Sequence, residues 1–189
     1  MTVAGLVLAA GEGRRFGGPK ALAQIDGERL VDRAVRVLRE GGVPSTYVVQ
    51  GAAPLAVPGA EVVVNTGWAE GMGSSLRAGL AALPPDVGAA VVLLVDQPGL
   101  TPAAVRRVLD AAVEPLDGAV VVATYDGHRG HPVLLGRLHW PAVAELAVGD
   151  RGARDFLTGH GAGVVEVACG DVADPDDVDT PADLQRLRG

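Results

Sequence analysis

The sequence predicts an α/β domain in which a mostly parallel sheet is covered by helices on both faces. Short runs of consecutive Val and Leu recur along the chain, and segments with helical periodicity separate them. Strands that alternate with helices need crossover connections, which place a parallel sheet between two helix layers. The residues are 48% hydrophobic but only 3% aromatic, so Ala, Val and Leu must build the core. A length of 189 residues suits one domain, and no linker or repeat divides residues 1–189.

Five apolar runs are predicted to be strands. The first covers residues 3–10, and its nearly unbroken apolar character is typical of a strand that is buried on both faces. Gly or Pro lies near most boundaries of the runs, as expected where strands end. The other four runs are residues 46–50, 61–64, 89–95 and 119–124.

Three helices are predicted between these strands, at residues 29–40, 72–83 and 102–113. Thr101 followed by Pro102 is typical of an N-cap with proline at the first helical position. Gly41 and Gly42 supply a stop signal for the first helix. The apolar stripe of that helix consists of Leu30, Val31, Ala34, Val35 and Leu38.

Composition and charge exclude several classes of function. The net charge of -7 argues against a general affinity for nucleic acid or for anionic membranes. Cys169 is the single cysteine and has no partner for a disulfide, which indicates a reducing compartment. The apolar run at residues 3–10 is too short for a signal peptide or a membrane span. We therefore expect the protein to act in the cytoplasm.

A glycine-rich loop with three basic residues follows the first strand. In open α/β sheets, ligands bind beyond the carboxyl ends of the strands, and glycines let backbone N–H groups approach phosphate oxygens. Arg14, Arg15 and Lys20 add positive charge, so the loop is predicted to bind a triphosphate. Its spacing matches neither the Walker A loop nor the dinucleotide-binding G-x-G-x-x-G loop. The loop reads Gly11-Glu12-Gly13-Arg14-Arg15-Phe16-Gly17-Gly18-Pro19-Lys20.

This loop, with the three residues before it, resembles the signature of the nucleotidyltransferases related to molybdenum cofactor guanylyl- and cytidylyltransferases. The resemblance implies a Rossmann-like three-layer sandwich of the nucleotide-diphospho-sugar transferase type. It also implies that Arg15 and Lys20 neutralise the triphosphate and act in catalysis, whereas Arg14 falls at a variable position. The predicted nucleotide-binding residues of this region are Leu8, Ala9, Ala10, Gly11, Gly13, Arg14 and Lys20.

Acidic residues near two predicted element ends are candidate metal ligands. Asp96 follows a buried strand, where a carboxylate suits Mg²⁺; the alternative is a helix cap, a position that Thr101 fills better. The resemblance makes Asp96 the central metal ligand and a catalytic residue, and Asp179 the second ligand, with Asp177 as the competing candidate. Mg²⁺ is therefore the expected cofactor. The remaining acidic residues of this C-terminal segment are expected to be solvated.

A polar segment between the third strand and the second helix is a further candidate. Ser74 and Ser75 can donate hydrogen bonds to phosphate or base, and the N-terminus of a helix favours anions. Residues 68–76, Trp-Ala-Glu-Gly-Met-Gly-Ser-Ser-Leu, resemble a segment that lines the nucleotide pocket in the cytidylyltransferase subgroup. Gly73, Ser74 and Ser75 are therefore predicted to bind nucleotide.

The acceptor side is predicted from two weaker motifs. His131 lies in a Gly-His-Pro context that resembles the subgroup's acceptor-side strand, although a lone histidine is usually structural. Arg151 and Arg154 are candidates for binding an acceptor phosphate, and a salt bridge at a helix start is an equal alternative for them.

The resemblance implies attack by an acceptor phosphate on the α-phosphorus of CTP, giving a cytosine dinucleotide form of the molybdopterin acceptor and pyrophosphate. A molybdoenzyme is a possible recipient of the product. Four alternatives stay open: guanylyl transfer, another phosphorylated acceptor such as a sugar phosphate or phospholactate, a non-catalytic maturation factor, and a dinucleotide-dependent oxidoreductase. The loop spacing disfavours the oxidoreductase.

Overall fold

A seven-stranded sheet forms the centre of the molecule, of which the computed structural model describes residues 2–187, without the side chain of residue 162. A separate hairpin of β2 (Gln24–Ile25) and β3 (Glu28–Arg29) follows the glycine-rich loop. The strands of the main sheet are β1 (Thr2–Leu8), β4 (Thr46–Gln50), β5 (Glu61–Val64), β6 (Val87–Leu94), β7 (Val120–Tyr125), β8 (His128–Gly136) and β9 (Val165–Ala168). They are arranged in the order β5-β4-β1-β6-β8-β7-β9.

The helices cover both faces of this sheet. Each predicted strand and helix is confirmed, with ends that differ from the prediction by a few residues at most. Within residues 2–187, no helix is both long and apolar enough to cross a membrane. The helices are α1 (Leu30–Glu40), α2 (Met72–Ala82), α3 (Pro102–Asp110), α4 (Trp140–Leu146), α5 (Arg154–His160) and α6 (Pro181–Arg186).

Side-chain alternation along β1 divides the core into two layers. Val7 contacts the cluster under α1 and α3, whereas Leu6 and Leu8 contact the cluster under α2, α4 and α5. Successive residues of a strand point to opposite faces, so a strand covered on both sides must be apolar throughout. The predicted stripe of α1 is buried. The three-layer α/β/α architecture is therefore confirmed.

The directions of the strands determine which chain segments meet at the edge of the sheet formed by the carboxyl ends of β1 and β6, called here the functional edge. β1 pairs in parallel with β4 and with β6, and β7 pairs in parallel with β9, which confirms the mostly parallel sheet. The exception is β8, which runs antiparallel to both β6 and β7. The start of β8 therefore lies at the same edge as the carboxyl ends of β1 and β6. The sequence patterns did not predict β8, whose first half is polar, nor β9, α4 and α5.

Caps define two helix starts, of which the one at Thr101 was predicted from the sequence. The Thr101 hydroxyl accepts a hydrogen bond from the backbone N–H of Ala104 at 3.3 Å, and Pro102 opens α3. Thr180 caps α6 in the same way and forms a reciprocal capping box with Asp183. These caps end the loops that bring the acidic residues 96 and 179 to the functional edge.

Candidate active site

The carboxyl ends of β1 and β6 bring the glycine-rich loop beside Asp96. Leu8 of β1 pairs with Leu94 of β6, so the chain leaves both strands at the same level. A first cavity of about 490 Å³ opens there. Among the predicted site residues, those that line it are Leu8, Ala10, Gly11, Gly13, Arg14, Arg15, Lys20, Ser75, Asp96 and Asp179.

The backbone of the loop closes around Gly13. The carbonyl oxygen of Gly13 accepts hydrogen bonds from the N–H groups of Phe16, Gly17 and Gly18 at 3.0, 2.9 and 3.1 Å. Gly13 has a φ of +64°, and a Cβ atom there would lie 1.9 Å from the carbonyl oxygen of Gly18. The turn therefore requires glycine at position 13.

Lys20 joins the two predicted metal ligands. Its Nζ lies 3.0 Å from Oδ2 of Asp96 and 2.8 Å from Oδ1 of Asp179, while Arg15 lies 3.2 Å from the second oxygen of Asp179. Desolvation lowers the pKa of Lys20, but the hydrogen bond with Asp179 and the charge of Asp96 outweigh it and raise the pKa overall. The hydrogen bond from Lys20 in turn lowers the pKa of Asp179. Lys20 and Asp179 are therefore both charged at neutral pH.

The donor set of this cluster fits a hard divalent cation that shares its coordination with a phosphate. The carboxylates of Asp96 and Asp179 both contact Nζ of Lys20, so they lie close to each other. No group of three or more His, Cys, Asp and Glu in residues 2–187 could hold a metal by itself. Mg²⁺ is commonly bound by one or two carboxylates together with water and substrate phosphates. Asp177 lines a different cavity, so the geometry favours Asp179 as the second ligand.

Three predicted nucleotide-binding residues support the cavity without lining it. Ala9 is 5% exposed and belongs to the core. Gly73 faces Ala147 so closely that a Cβ atom would lie 2.3 Å from its carbonyl oxygen. The Ser74 hydroxyl donates to the carbonyl of Gly71 at 2.8 Å, as helix geometry allows three residues away. Core and helix packing thus hold these three residues outside the lining of the first cavity, and their contact with a nucleotide stays a prediction.

Ser75 is the serine that faces the cavity. Asn65, which is buried, donates its side-chain amide to Ser74 at 2.9 Å and to Ser75 at 3.1 Å. A hydroxyl that accepts a hydrogen bond keeps its own proton for donation. Ser75 is therefore oriented by Asn65 with its donor available to a ligand.

Sequence reasoning missed Asp150, which lines this cavity and the next one. Its carboxylate lies 3.4 Å from the backbone N–H of Met72, at the start of α2. Gly71, with a φ of +104°, allows the approach, since a Cβ atom there would lie 2.6 Å from the backbone of Gly149. Asp150 and Met72 are 78 positions apart, so no local sequence signal predicts this contact. Trp68, also missed, stood inside the recognised motif and lines the first cavity.

A second cavity of about 260 Å³ adjoins the first, and Leu8, Met72, Leu94 and Asp150 line both. His131 and Arg151, the predicted acceptor-side residues, lie in its wall. Arg151 pairs with Asp155 at 3.1 Å, so the helix-start salt bridge that the sequence left open is present.

His131 lines the second cavity at a point where the pairing of β8 with β7 is irregular. The pairing with β7 shifts between Val122 and Ala123, and leaves His131 and Pro132 outside the ladder. Proline cannot donate a ladder hydrogen bond, and such bulges re-aim neighbouring side chains. Burial in the cavity wall lowers the pKa of His131 to about 4, with the charge of Arg154 acting in the same direction. The imidazole is therefore neutral at physiological pH.

This arrangement agrees with the comparison of the chain with known protein families. Residues 5–164 match the model of the MobA-like NTP transferase domain. The chain belongs to this family of nucleotidyltransferases. The predicted family resemblance is thereby confirmed.

Proteins with sequences similar to this chain are named for different activities. Nicotine blue oxidoreductase of Paenarthrobacter nicotinovorans is 39% identical over 98% of this chain and 96% of its own length. A probable molybdenum cofactor guanylyltransferase of Opitutus terrae is 38% identical over 61% of this chain and 62% of its own length. Family membership therefore leaves the substrates of this protein open.

A solved structure supports the fold along the whole chain. Rv0371c from Mycobacterium tuberculosis H37Rv is 32% identical and superimposes with a TM-score of 0.83, covering 100% of this chain and 98% of that protein. The same protein was also solved in complex with manganese, with a TM-score of 0.79, 30% identity and coverage of 99% and 98%. The predicted fold class is confirmed.

Proposed function

We propose that the protein is a nucleotidyltransferase that uses Mg²⁺ and transfers CMP from CTP to the phosphate of a molybdopterin-type acceptor, releasing pyrophosphate. The observation that carries this proposal is the cluster of Lys20, Asp96 and Asp179 beside the glycine-rich loop. It combines a carboxylate just beyond β6 and a carboxylate just before α6 with fixed positive charge, next to a loop with close backbone access.

The residues of the first cavity have separable roles in this reaction. Arg15 and Lys20 bind phosphate oxygens and offset the charge that develops at the α-phosphorus. Asp96 and Asp179 would hold the divalent cation, which supplies charge neutralisation on the triphosphate. The acceptor phosphate is already ionised, so alignment replaces a general base. Ser75 adds one hydrogen-bond donor.

The second cavity is the place for the acceptor because it joins the first beside Leu8 and Leu94. His131, held neutral by its low pKa, offers one ring N–H and one ring nitrogen to the acceptor. Arg151 is the predicted contact for a negative group, although it must share its charge with Asp155.

Three features bear on the choice of donor and acceptor in this proposal. The Ala9-Ala10-Gly11 sequence resembles the cytidylyl branch of the family more than the guanylyl branch, which tends to have two glycines there. With the motif at residues 68–76, this resemblance favours CTP. The Opitutus relative, which is named a guanylyltransferase, favours GTP as the first alternative donor. Other phosphorylated acceptors, such as a sugar phosphate or a phospholactate, are the next alternative, and a non-catalytic maturation factor is the last.

The test is pyrophosphate release by the purified protein with Mg²⁺, each of the four triphosphates, and molybdenum-bearing molybdopterin. Release with CTP alone supports the proposal, and release with GTP moves it to guanylyl transfer. Silence with all four, from protein that binds a triphosphate, rejects the acceptor. An Asp96→Ala variant is the control for release by a contaminating enzyme.

A second candidate function follows from the relative that matches nearly the whole chain, nicotine blue oxidoreductase. In this alternative, the protein is an oxidoreductase that acts on nicotine blue. Its test is the loss of the dye's visible absorbance on addition of NADH or NADPH, with flavin supplied in a parallel sample. Bleaching without pyrophosphate release would replace the transferase, and an unchanged spectrum in every sample would remove this candidate.

A further inference from the structure

The start of α2 packs directly against the backbone of residues 147–150. A Cβ atom on Gly71, whose φ is +104°, would lie 2.6 Å from the carbonyl carbon of Gly149. A Cβ atom on Gly73 would lie 2.3 Å from the carbonyl oxygen of Ala147. Approaches this close are possible only where a side chain is absent. The two backbones themselves therefore set the distance between α2 and residues 147–150.

This contact forms part of the wall of both cavities. Met72, the first residue of α2, and Asp150 each line the first cavity as well as the second. They face each other across the contact, since the carboxylate of Asp150 lies 3.4 Å from the backbone nitrogen of Met72. A change in the position of residues 147–150 on α2 therefore changes the shape of both cavities.

Arg77 of α2 joins this contact to another segment of the first cavity. One of its guanidinium nitrogens donates a hydrogen bond to the carbonyl oxygen of Ala147, and the other lies 3.0 Å from a carboxylate oxygen of Glu70. Glu70 ends the single helical turn of residues 68–70, which contributes Trp68 to the wall of the first cavity. One side chain thus ties α2 to two segments of cavity wall.

The chemistry of arginine suits this anchoring role. Ala147 is fully buried, so its carbonyl oxygen is stabilised by a charged donor. The rigid guanidinium fork can hold a carbonyl and a carboxylate at the same time, whereas the ammonium of lysine is a point charge. Arg77, Glu70 and Ala147 line neither cavity. Arg77 therefore acts on a bound ligand only through the segments that it holds.

We propose that Arg77 is a positioning residue of the active site, which fixes the turn at residues 68–70 and the loop at residues 147–150 on α2 without touching a substrate. The two segments then present Trp68 and Asp150 in a fixed relation to the ligand of the first cavity. This role rests on the proposed function for the class of that ligand, a nucleoside triphosphate.

Arg107 provides a matched control on the opposite face of the sheet. Like Arg77, it donates to a carbonyl oxygen, that of Ala168 at 2.8 Å, and to a carboxylate, that of Asp171 at 2.5 Å. The exposed side-chain fractions are 38% for Arg107 and 65% for Asp171, against 37% for Arg77 and 67% for Glu70. Arg107, Ala168 and Asp171 line neither cavity. Arg107→Met therefore removes an equivalent pair of contacts away from both cavities.

The experiment compares the full chain of the wild type with Arg77→Met, Arg77→Lys and Arg107→Met in three measurements. The first is the rate at which trypsin cuts the bond after Arg151, followed by mass spectrometry. The second is the quenching of tryptophan fluorescence by acrylamide, which reaches mainly Trp68 because Trp140 is buried. The third is the calorimetric affinity, with Mg²⁺, for whichever of the four nucleoside triphosphates the wild type binds most tightly.

In Arg77→Met, cleavage after Arg151 and quenching of Trp68 should both rise, because the loop and the turn open locally without their anchor. Triphosphate affinity should fall about 10-fold, as expected for the loss of one charge-assisted hydrogen bond. Arg77→Lys should lie between Arg77→Met and the wild type, and it carries the test if Arg77→Met does not fold. Arg107→Met should stay within about twofold of the wild type in all three measurements. Melting temperatures should fall by similar amounts in Arg77→Met and Arg107→Met, which separates positioning from general destabilisation.

Three results overturn the role of Arg77. These are cleavage and quenching in Arg77→Met that match Arg107→Met, an unchanged triphosphate affinity in Arg77→Met, and an equal loss of affinity in Arg107→Met.

Failure of the proposed function is read from the wild type alone. A wild type that binds a triphosphate but releases no pyrophosphate rejects the reaction and keeps Arg77 as a positioning residue of the binding site. A wild type that binds none of the four triphosphates rejects the proposed function, and the role of Arg77 in binding with it.

Discussion

Removing the positive charge of Lys20 tests the architecture of the candidate metal site. A Lys20→Met variant keeps the length of the side chain and deletes the ammonium that holds Asp96 and Asp179 together. Because the two N–O distances are 3.0 and 2.8 Å, the two bound oxygens are at most about 6 Å apart. The variant therefore leaves two carboxylates facing each other.

The size of the effect follows from the separation and the exposure of these groups. At about 6 Å, two unit charges repel by about 0.7 kcal/mol in water and by about 3 kcal/mol at an effective dielectric constant of 20, and the variant removes the ammonium that offsets this repulsion in the wild type. Side-chain exposures of 15% for Lys20, 25% for Asp96 and 38% for Asp179 place the site between these limits. We expect the free energy of unfolding to fall by about 1–3 kcal/mol. A loss of about 2 kcal/mol lowers the melting temperature by roughly 4–8 °C in a chain of this size.

Scanning calorimetry with and without Mg²⁺ checks this reasoning. In Lys20→Met the cation should restore most of the lost melting temperature, because it replaces the missing positive charge without competition from the ammonium. Adding Asp96→Asn to the variant should also restore stability, and should abolish the response to Mg²⁺. A variant as stable as the wild type, or a double variant that still gains stability from Mg²⁺, would refute the assignment of Asp96 and Lys20 to one site.

Three further predictions address the reaction, the loop and the last helix. Asp96→Ala should lose pyrophosphate release by at least about 100-fold while melting cooperatively, and wild-type turnover would reject its metal role. Gly13→Ala should weaken triphosphate binding at least about 10-fold in calorimetric titration, because its Cβ meets Gly18, whereas Gly18→Ala, which meets nothing within 4 Å, should bind normally. Asp183 has a pKa lowered to about 2, first by the hydroxyl of Thr180, so its stabilisation is present above pH 4 and lost toward pH 2. The melting temperatures of wild type and Asp183→Ala should therefore converge on acidification, and a difference that persists at pH 2 would contradict this.

The two cavities adjoin, as the proposed reaction between a bound triphosphate and an acceptor requires. In the proposed reaction, the triphosphate occupies the first cavity and the acceptor the second, and the two cavities share Leu8, Met72, Leu94 and Asp150 in their walls. The loop at residues 149–152 packs against the start of α2, and its Asp150 lines both cavities. Substitutions in this loop are therefore expected to affect both substrates.

Local patterns were sufficient for the elements that bury an apolar face and for the residues at their ends. The stripe of α1, the buried first strand and the Thr101 cap each have a signal within a few residues. The same holds for Asp96, which follows an apolar strand. These features depend on periodicity and on local backbone chemistry, which the sequence displays directly.

The antiparallel strand β8 shows why other features escaped prediction. Its polar first half and the interruption at His131 and Pro132 hide the alternation expected of a strand. Its direction depends on pairing with β6, which is distant in sequence. Strand β9, at the edge of the sheet, has mostly exposed or half-exposed residues and so lacks a buried run.

The sequence by itself determined the α/β class, the position of the glycine-rich loop and the identity of most residues that line the first cavity. Only the tertiary structure decided how those residues are used: Ser75 faces the cavity while Ser74 is held by Gly71, and Asp179 meets Lys20 while Asp177 lines the second cavity. Residue type and spacing define what chemistry is possible. The packing of segments that are far apart in the chain determines which groups are left free to perform it.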